Sequence, residues 1–387
     1  MKLACVVHRF GADIAGGSEG HCRLVAQHLS ATHDVTVVTT CAKDHITWRN
    51  HYPAGESRDG ALRVLRFPVA RERSMPRFMD LGDRVFADGA TPEDERQWFR
   101  ANGPDAPALI AYLQEHGGDY DRLLFWAYRY ANTYFGLPLV ADRALLLPTA
   151  EDDPLIHVDA VRDFFALPRG FLFLTPEEET LVSARTAARK PSAIVGCGLD
   201  PASTRADRAA LDARGVRDRY LLYLGRIDPN KGCGTLLRHF LRYVEHGRDV
   251  QLVMAGPASM PIPNHPLVLP LGFVDDDLRD TLLAHAAALA MPSPFESLSM
   301  VLLEAWNRGT PALVNVRCKV LRGQVERADG GLYYGNAVEF IAALDYLIDR
   351  PEDGRQLGRQ GLAYVDREYR WPTVMNKIET VLRAALD

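Results

Sequence analysis

Apolar residues in this chain fall into short blocks, separated by stretches in which they recur every three or four positions. The blocks at 3–7, 35–40, 122–127, 144–148, 171–174 and 193–195 are continuous, as in strands buried on both faces. The block at 63–69 alternates and also predicts a strand. Between the first two, Leu24, Val25 and Leu29 mark the inner face of a helix, with Arg23, Gln27 and His28 elsewhere. Strand, glycine-containing loop, helix and strand make a βα unit, the first half of a Rossmann-like wrap. A second series follows, with strands predicted at 220–224, 250–255, 268–272, 286–291 and 312–315 and a helix over 235–243. Gly196-Cys197-Gly198-Leu199-Asp200-Pro201 separates the two series and predicts a hinge, followed by a linker helix over 206–214. The tail from 338 to 386 reads as helical, with Trp371-Pro372 breaking it so that a last helix starts afresh over 373–386. The βα pattern repeats, but no internal sequence repeat accompanies it.

The pattern predicts an α/β protein of two Rossmann-like domains, which suits a length of 387 residues. Hydrophobic content of 47% and charged content of 25% are those of a globular enzyme. A net charge of -5 supplies no general electrostatic footprint for nucleic acid, so none is expected as a partner. No apolar run approaches the ~18–20 residues of a membrane span. The N-terminus reads as a first strand rather than a signal peptide, and a cytoplasmic location is expected. Cys5, Cys22, Cys41, Cys197, Cys233 and Cys318 are scattered without a C-x-x-C pair, so they are expected to be reduced and not to bind zinc.

Chemistry concentrates first at 292–304, Pro-Ser-Pro-Phe-Glu-Ser-Leu-Ser-Met-Val-Leu-Leu-Glu. Pro292 and Pro294 end the preceding strand, and a helix restarts at Ser297 or Ser299, both good N-caps. Glu296 sits in the loop, and Glu304 lies on the order of 10 Å further along the helix axis. The N–H groups of the first turn between them form a ready anion site. Hydroxyl acceptor, anion cradle, hydroxyl acceptor would fit a sugar, a diphosphate and a ribose. On spacing alone, a solvated Glu296 and a surface-helix Glu304 are the favoured reading. Arg226 and Lys231, on the loop leaving the 220–224 strand, change that balance. Converging there, they would neutralise a diphosphate and stabilise charge developing on a leaving group.

The first half offers less. Gly16-Gly17 lets backbone approach a ligand closely, or simply makes a tight turn; the G-x-G-x-x-G fingerprint is absent. The charged stretch 71–105, with two or three weak helical segments, carries Arg71, Arg73, Arg77 and Arg84. It reads as a solvated surface or as an edge facing an acceptor or a membrane. Two predicted strands end in polar clusters, Trp126, Tyr128, Arg129, Tyr130 and Asn132 after one, Thr149, Glu151, Asp152, Asp153 and His157 after the other. Ligands bind outside the carboxyl ends of such strands, so both are candidate acceptor-side walls. The acids also look like a metal cluster, but Pro154 interrupts them and helix-capping acids are the expectation.

Gly16-Gly17-Ser18-Glu19, Gly225-Arg226-Ile227-Asp228-Pro229-Asn230-Lys231-Gly232, Leu271-Gly272-Phe273-Val274 and the pair Glu296 and Glu304, spaced E-x7-E, occur in the order of a known family. With them and the hinge glycines, the chain resembles the retaining, nucleotide-sugar-dependent glycosyltransferases of the GT-B fold, family 4 (glycosyl transferases group 1). The resemblance spans essentially the whole chain and is strongest over 220–310. It implies two Rossmann-like domains with an interdomain cleft: an acceptor-side domain at 1–198, a nucleotide-sugar-binding domain at 199–370, and a terminal helix, 371–387, packing back on the first. It implies that Glu296 accepts from donor-sugar hydroxyls, Glu304 holds the ribose, and Arg226 and Lys231 bind the diphosphate. Arg226, Lys231 and Glu296 are thereby the catalytic candidates. The backbone at Gly225, Leu298 and Ser299 would line the sugar and diphosphate, and Gly16 and Gly17 would form a loop closing over it. The implied substrates are a nucleoside diphosphate sugar and a glycan or lipid-linked glycan acceptor, with peripheral membrane contact. No cofactor or metal is implied, and Asp275-Asp276-Asp277 becomes a loop and helix cap.

The chain departs from the family in three places. Leu298-Ser299 replaces the usual Phe-Gly. Trp126-Ala127-Tyr128-Arg129-Tyr130 lacks the histidine many members carry there, and Glu151-Asp152 replaces a His-Asp pair. Acceptor-side candidates are therefore limited to Tyr128, Arg129, Glu151 and Asp152. A nucleotide-sugar epimerase and a non-catalytic nucleotide-sugar or glycan-binding protein remain as alternatives.

Overall fold

The computed structural model describes residues 1–14, 16–87, 89–186, 189–202 and 207–385. The chain divides into two compact units, Met1–Gly198 with Val374–Asp387, and Leu199–Thr373.

The first unit is built on an eight-stranded sheet. Its strands are β1 (Lys2–Val6), β2 (Asp34–Thr40), β3 (Gly55–Asp59), β4 (Leu62–Phe67), β5 (Arg122–Trp126), β6 (Ala144–Leu147), β7 (Gly170–Phe173) and β8 (Ser192–Ile194). Their order is β3-β4-β2-β1-β5-β6-β7-β8. Every neighbouring pair is parallel except β3 and β4. In the central register Val6 lies opposite Val38 on one side and Phe125 on the other, and all three are fully buried. That placement accounts for the continuous apolar blocks: helices cover both faces. The edge strand β3 was not expected, because its sequence Gly-Glu-Ser-Arg-Asp carries no apolar signal and it is held through its antiparallel partner.

The second unit holds β9 (Tyr220–Leu224), β10 (Gln251–Ala255), β11 (Val268–Gly272), β12 (Ala288–Met291), β13 (Ala312–Asn315) and β14 (Gly331–Tyr334). All run parallel in the order β11-β10-β9-β12-β13-β14. β14 and the helix Lys319–Ala328 before it also escaped the sequence reading. Two glycines let the β9 and β10 loops touch. Gly225 donates to the Ala255 carbonyl at 2.9 Å, and a Cβ on Gly256 would stand 2.0 Å from the Gly225 oxygen.

Boundaries of the last helix and of the linker helix differ from expectation. The break in the tail falls at Tyr369 and Arg370, so the last helix is Trp371–Ala384 and Pro372 lies in its first turn. There the missing N–H of proline has no intrahelical acceptor to lose. Its Val374, Ile378 and Leu382 are buried, and the Ala385 carbonyl accepts from Arg122 at 2.6 Å. Position 386, the expected end, lies outside the described residues. The linker helix is Arg208–Asp212, and its expected start at 206 likewise lies outside them. All six cysteines are buried free thiols. Among the described residues no helix is long and apolar enough to cross a membrane.

Candidate active site

β9 and β12 are neighbours in the second sheet, Leu222 opposite Leu289. The loops leaving their carboxyl ends therefore meet, and they carry Arg226 and Lys231 on one side and Glu296 on the other. Lys231 Nζ donates to Glu296 Oε1 at 2.8 Å. The local sequence sets this up. Asp228 accepts from the Asn230 N–H at 2.8 Å and starts a single 3-10 turn over Pro229–Lys231. Gly232 then takes a left-handed φ of 76° and lets the helix Cys233–Val244 begin. A Cβ on Gly232 would lie 2.3 Å from the Pro292 carbonyl oxygen, so the two loops could not approach with any other residue. Asn315, at the end of β13, donates to that same carbonyl at 3.0 Å.

Arg226 lies 3.4 Å from Asp228, half exposed, and Tyr223 donates to the Arg226 carbonyl at 2.6 Å. Each of the two cations stands beside a carboxylate from its own unit. These carboxylates spare the site the cost of unpaired charge.

Ser299 is the N-cap of the helix Met300–Asn307, accepting from the Leu302 N–H at 3.3 Å. It does so with φ 71°, in the left-handed region where glycine is at ease. The departure from Phe-Gly thus places a serine in a glycine conformation, with a cap bond in partial compensation. Leu298 is buried, so what it offers a ligand is backbone. Glu304 emerges from the second turn of this helix, 3.8 Å from Arg279. Burial raises its pKa, Arg279 working against the rise. Asp275 caps the helix Asp276–His285 by accepting from Leu278 at 2.8 Å, as a helix cap should.

In the first unit, Gly16 is the N-cap of the helix Gly17–Leu29. A Cβ there would collide with the Glu19 carboxylate at 2.3 Å, whereas Gly17 faces open space. Glu19 is itself the centre of a buried cluster that the sequence reading passed over. His8 Nε2 lies 2.9 Å and Arg9 Nε 2.8 Å from its Oε1, and Ser18 donates to Oε2 at 2.8 Å. Burial opposes the charge, but His8 and Arg9 hold the carboxyl well below its usual range. The family motif ending in Glu19 was the available signal; its partners on the β1 exit could only be found in three dimensions.

The acceptor-side candidates separate. Tyr128 is a correction: it is fully buried in the core, its ring 5.1 Å from that of Phe165, and presents nothing to a ligand. Arg129 donates to Asp153 at 2.6 Å and lies 3.8 Å from Glu151. Asp152 turns to His157 at 3.6 Å, while Asp153 also caps the turn Pro154–His157. Glu178, in the first turn of the helix Pro176–Ser183, reaches back to this loop. It is fully buried and accepts from Ala150 at 2.6 Å and Leu174 at 2.5 Å, tying the ends of β6 and β7 together. Among the described residues no group of three or more His, Cys, Asp or Glu side chains is placed to hold a metal ion.

Residues 218–350 match the family model described as glycosyl transferases group 1. The MMP α-(1→4)-mannosyltransferase of Mycolicibacterium hassiacum is 28% identical over 184 residues, 44% of each chain. The alignment thus spans under half of that relative's length. Two solved structures superpose along nearly the whole chain. Sucrose-phosphate synthase from Thermosynechococcus elongatus gives a TM-score of 0.73 at 17% identity, covering 99% of this chain and 98% of that one. Anabaena HepE, solved with UDP and glucose, gives 0.70 at 15%, covering 99% of each. The chain therefore has the GT-B fold, and through residues 218–350 it is similar to the group 1 glycosyl transferases of that fold.

Proposed function

We propose that this protein is a retaining glycosyltransferase that moves a sugar from a nucleoside diphosphate sugar to an acceptor hydroxyl. The bond between the sugar and the diphosphate breaks, a bond to the acceptor oxygen forms, and the acceptor proton leaves with the nucleoside diphosphate. One observation carries the reading. The Lys231–Glu296 pair sets a cation suited to phosphate against an acceptor of sugar hydroxyl bonds, at the carboxyl ends of neighbouring strands. In this reading Lys231 and Arg226 bind the diphosphate and stabilise the charge growing on it as it leaves. Glu296 orients the sugar and Glu304 holds the ribose. The backbone at Gly225, Leu298 and Ser299 lines the donor, and Gly16 and Gly17 complete its cover. Arg129, Glu151 and Asp152 face the acceptor. No resident cofactor takes part, because cationic side chains and the start of the helix Met300–Asn307 supply positive charge.

The sugar is a hexose and the acceptor a glycan or glycolipid of the cell envelope, reached from the cytoplasm by peripheral contact with the membrane. The similarity to a mannosyltransferase supports a hexose as the sugar. A thermal-shift panel of nucleoside diphosphates identifies the base, since a ligand bound only by the native state raises apparent stability. Release of nucleoside diphosphate is then followed with and without acceptor. Acceptor-dependent release, lost in Lys231→Ala at unchanged melting temperature, is the expected result. Equal release by the wild type and this variant would overturn the proposal.

A further inference from the structure

The loops leaving β4, β2, β1 and β5, four adjacent strands, bring Arg73, Trp48, His8 with Arg9, and Tyr130 together at the carboxyl edge of the first sheet. Arg73 Cζ stands 4.7 Å from the Trp48 ring centre and 5.2 Å from that of Phe78. Arg9 Cζ stands 6.0 Å from the same indole. The Tyr130 ring lies 3.8 Å from that of His8, tilted by 30°, and meets Trp48 edge-on at 5.5 Å. Two guanidinium groups thus share one aromatic residue, and only one of them is paired directly with a carboxylate. Arg9 is held by Glu19. Arg73 is partly buried, and its Nε is buried without a hydrogen-bond partner among the described residues.

Nearby carboxylates do not make up the difference. Asp44 is close enough to act on Arg73 electrostatically. It makes no ion pair with Arg73 among the described residues, and its oxygens instead accept from the Ile46 N–H at 2.8 Å, the Thr47 N–H at 2.7 Å and the Thr47 hydroxyl at 2.7 Å. Asp13 pairs with Lys43, and Arg66 bonds to Ser57 and the Phe10 carbonyl. Burial lowers the Arg73 pKa and Arg9 pushes it the same way, as expected of a cation short of negative charge. Elsewhere in this basic stretch Arg71 pairs with Asp105 and Arg84 with Asp80. Arg73 differs from both.

We propose that the first unit recognises an anionic acceptor, one bearing a phosphate or carboxylate group, through Arg73 beside Arg9 over the Trp48 indole. This deepens the glycosyltransferase reading and rests on it for the word acceptor. A partly buried cation with no carboxylate in contact and a buried N–H unpaired is costly, and an anion from the ligand reduces that cost. Guanidinium geometry suits the paired oxygens of phosphate or carboxylate, and the indole beneath fixes its plane. The donor diphosphate has its own cations, Arg226 and Lys231, in the second unit.

The test is calorimetric binding to the full chain of inorganic phosphate, glucose 6-phosphate, glucuronate and glucose, with UDP and GDP titrated separately. At least one anionic probe is expected to bind tenfold or more tightly than glucose, the stronger of phosphate and carboxylate naming the group. Arg73→Gln is expected to remove that advantage, and Arg73→Lys to retain part of it. Nucleoside diphosphate affinity should be unchanged in both, which also reports that they fold. Anions binding no better than glucose, anion binding unchanged in Arg73→Gln, or loss of nucleoside diphosphate binding in that variant would each overturn the inference. Failure of the wild type to bind UDP or GDP would instead strike the transfer reading, leaving the anion titrations to decide on Arg73.

Discussion

Lys231 Nζ and Glu296 Oε1 are 2.8 Å apart, although 65 positions separate them in the chain. The contact exists because β9 and β12 are paired in parallel and both loops leave the same edge of the sheet. It keeps a partly buried carboxylate compensated and fixes the position of the lysine beside it.

Removing either partner should reduce transfer far more than stability. For Lys231→Ala and Glu296→Gln, a loss of roughly 10²–10³ in kcat is expected, the scale of one preorganised electrostatic contact. The melting temperature should move little, because the pair is still reached by solvent. Steady-state kinetics beside thermal melts would check both, and a variant inactive only because it is unfolded would show itself in the melt.

Ser299 separates two effects that usually travel together. Ser299→Ala keeps the left-handed strain and loses the cap, so a destabilisation of about 1 kcal/mol is expected. Ser299→Gly also loses the side-chain cap but relieves roughly 1–2 kcal/mol of backbone strain, and should match or exceed the wild type. Urea denaturation orders the three proteins, and glycine falling below alanine would contradict this account.

Glu178 should make stability depend on pH. Burial raises its pKa to about 8, against the pull of backbone N–H groups from Leu174 and Ala150. The folded protein thus holds this proton more tightly than the unfolded chain, whose carboxyl titrates near 4.3. The contribution is fully present below the unfolded value and is lost as pH rises towards about 8. Between pH 5 and 8 the wild type should therefore lose stability that Glu178→Gln, though weaker overall, does not lose. Melts at several pH values with parallel slopes for the two proteins would refute it.

Gly256→Ala should be among the most damaging single changes in the second unit. The new Cβ would stand 2.0 Å from a backbone oxygen, at a residue with φ 139°, and no rotamer change can relieve a clash with backbone. A loss of about 3 kcal/mol or more is expected, together with loss of donor binding, since Gly225 carries the loop that holds Arg226. Chemical denaturation and nucleotide titration would measure both.

Much of this architecture is legible in the order of apolar blocks. Strands buried on both faces must be continuous and apolar, so β1, β2, β5, β6, β9, β10 and β12 announce themselves. Edge strands need no such signal: β3 is polar and β14 is only four residues long, and both form because a partner is already in place. The donor-side residues could be named because their motifs are local, each lying on one loop or one helix start. The acceptor side could not be read the same way. Tyr128 looks like a strand-end aromatic in sequence, and only the packing shows its ring turned into the core against Phe165.

The sequence alone determined the two series of βα units, the loops that carry Arg226, Lys231, Glu296 and Glu304, and the glycines that let those loops approach. These are properties of periodicity and backbone freedom, which act over a few residues. Tertiary structure decided which charges meet. Lys231 with Glu296, Glu19 with His8 and Arg9, Glu178 across two strand ends and Arg73 with its buried, unpaired Nε all depend on strand order. Strand order is set by burial of the whole sheet, and no single segment of the chain encodes it.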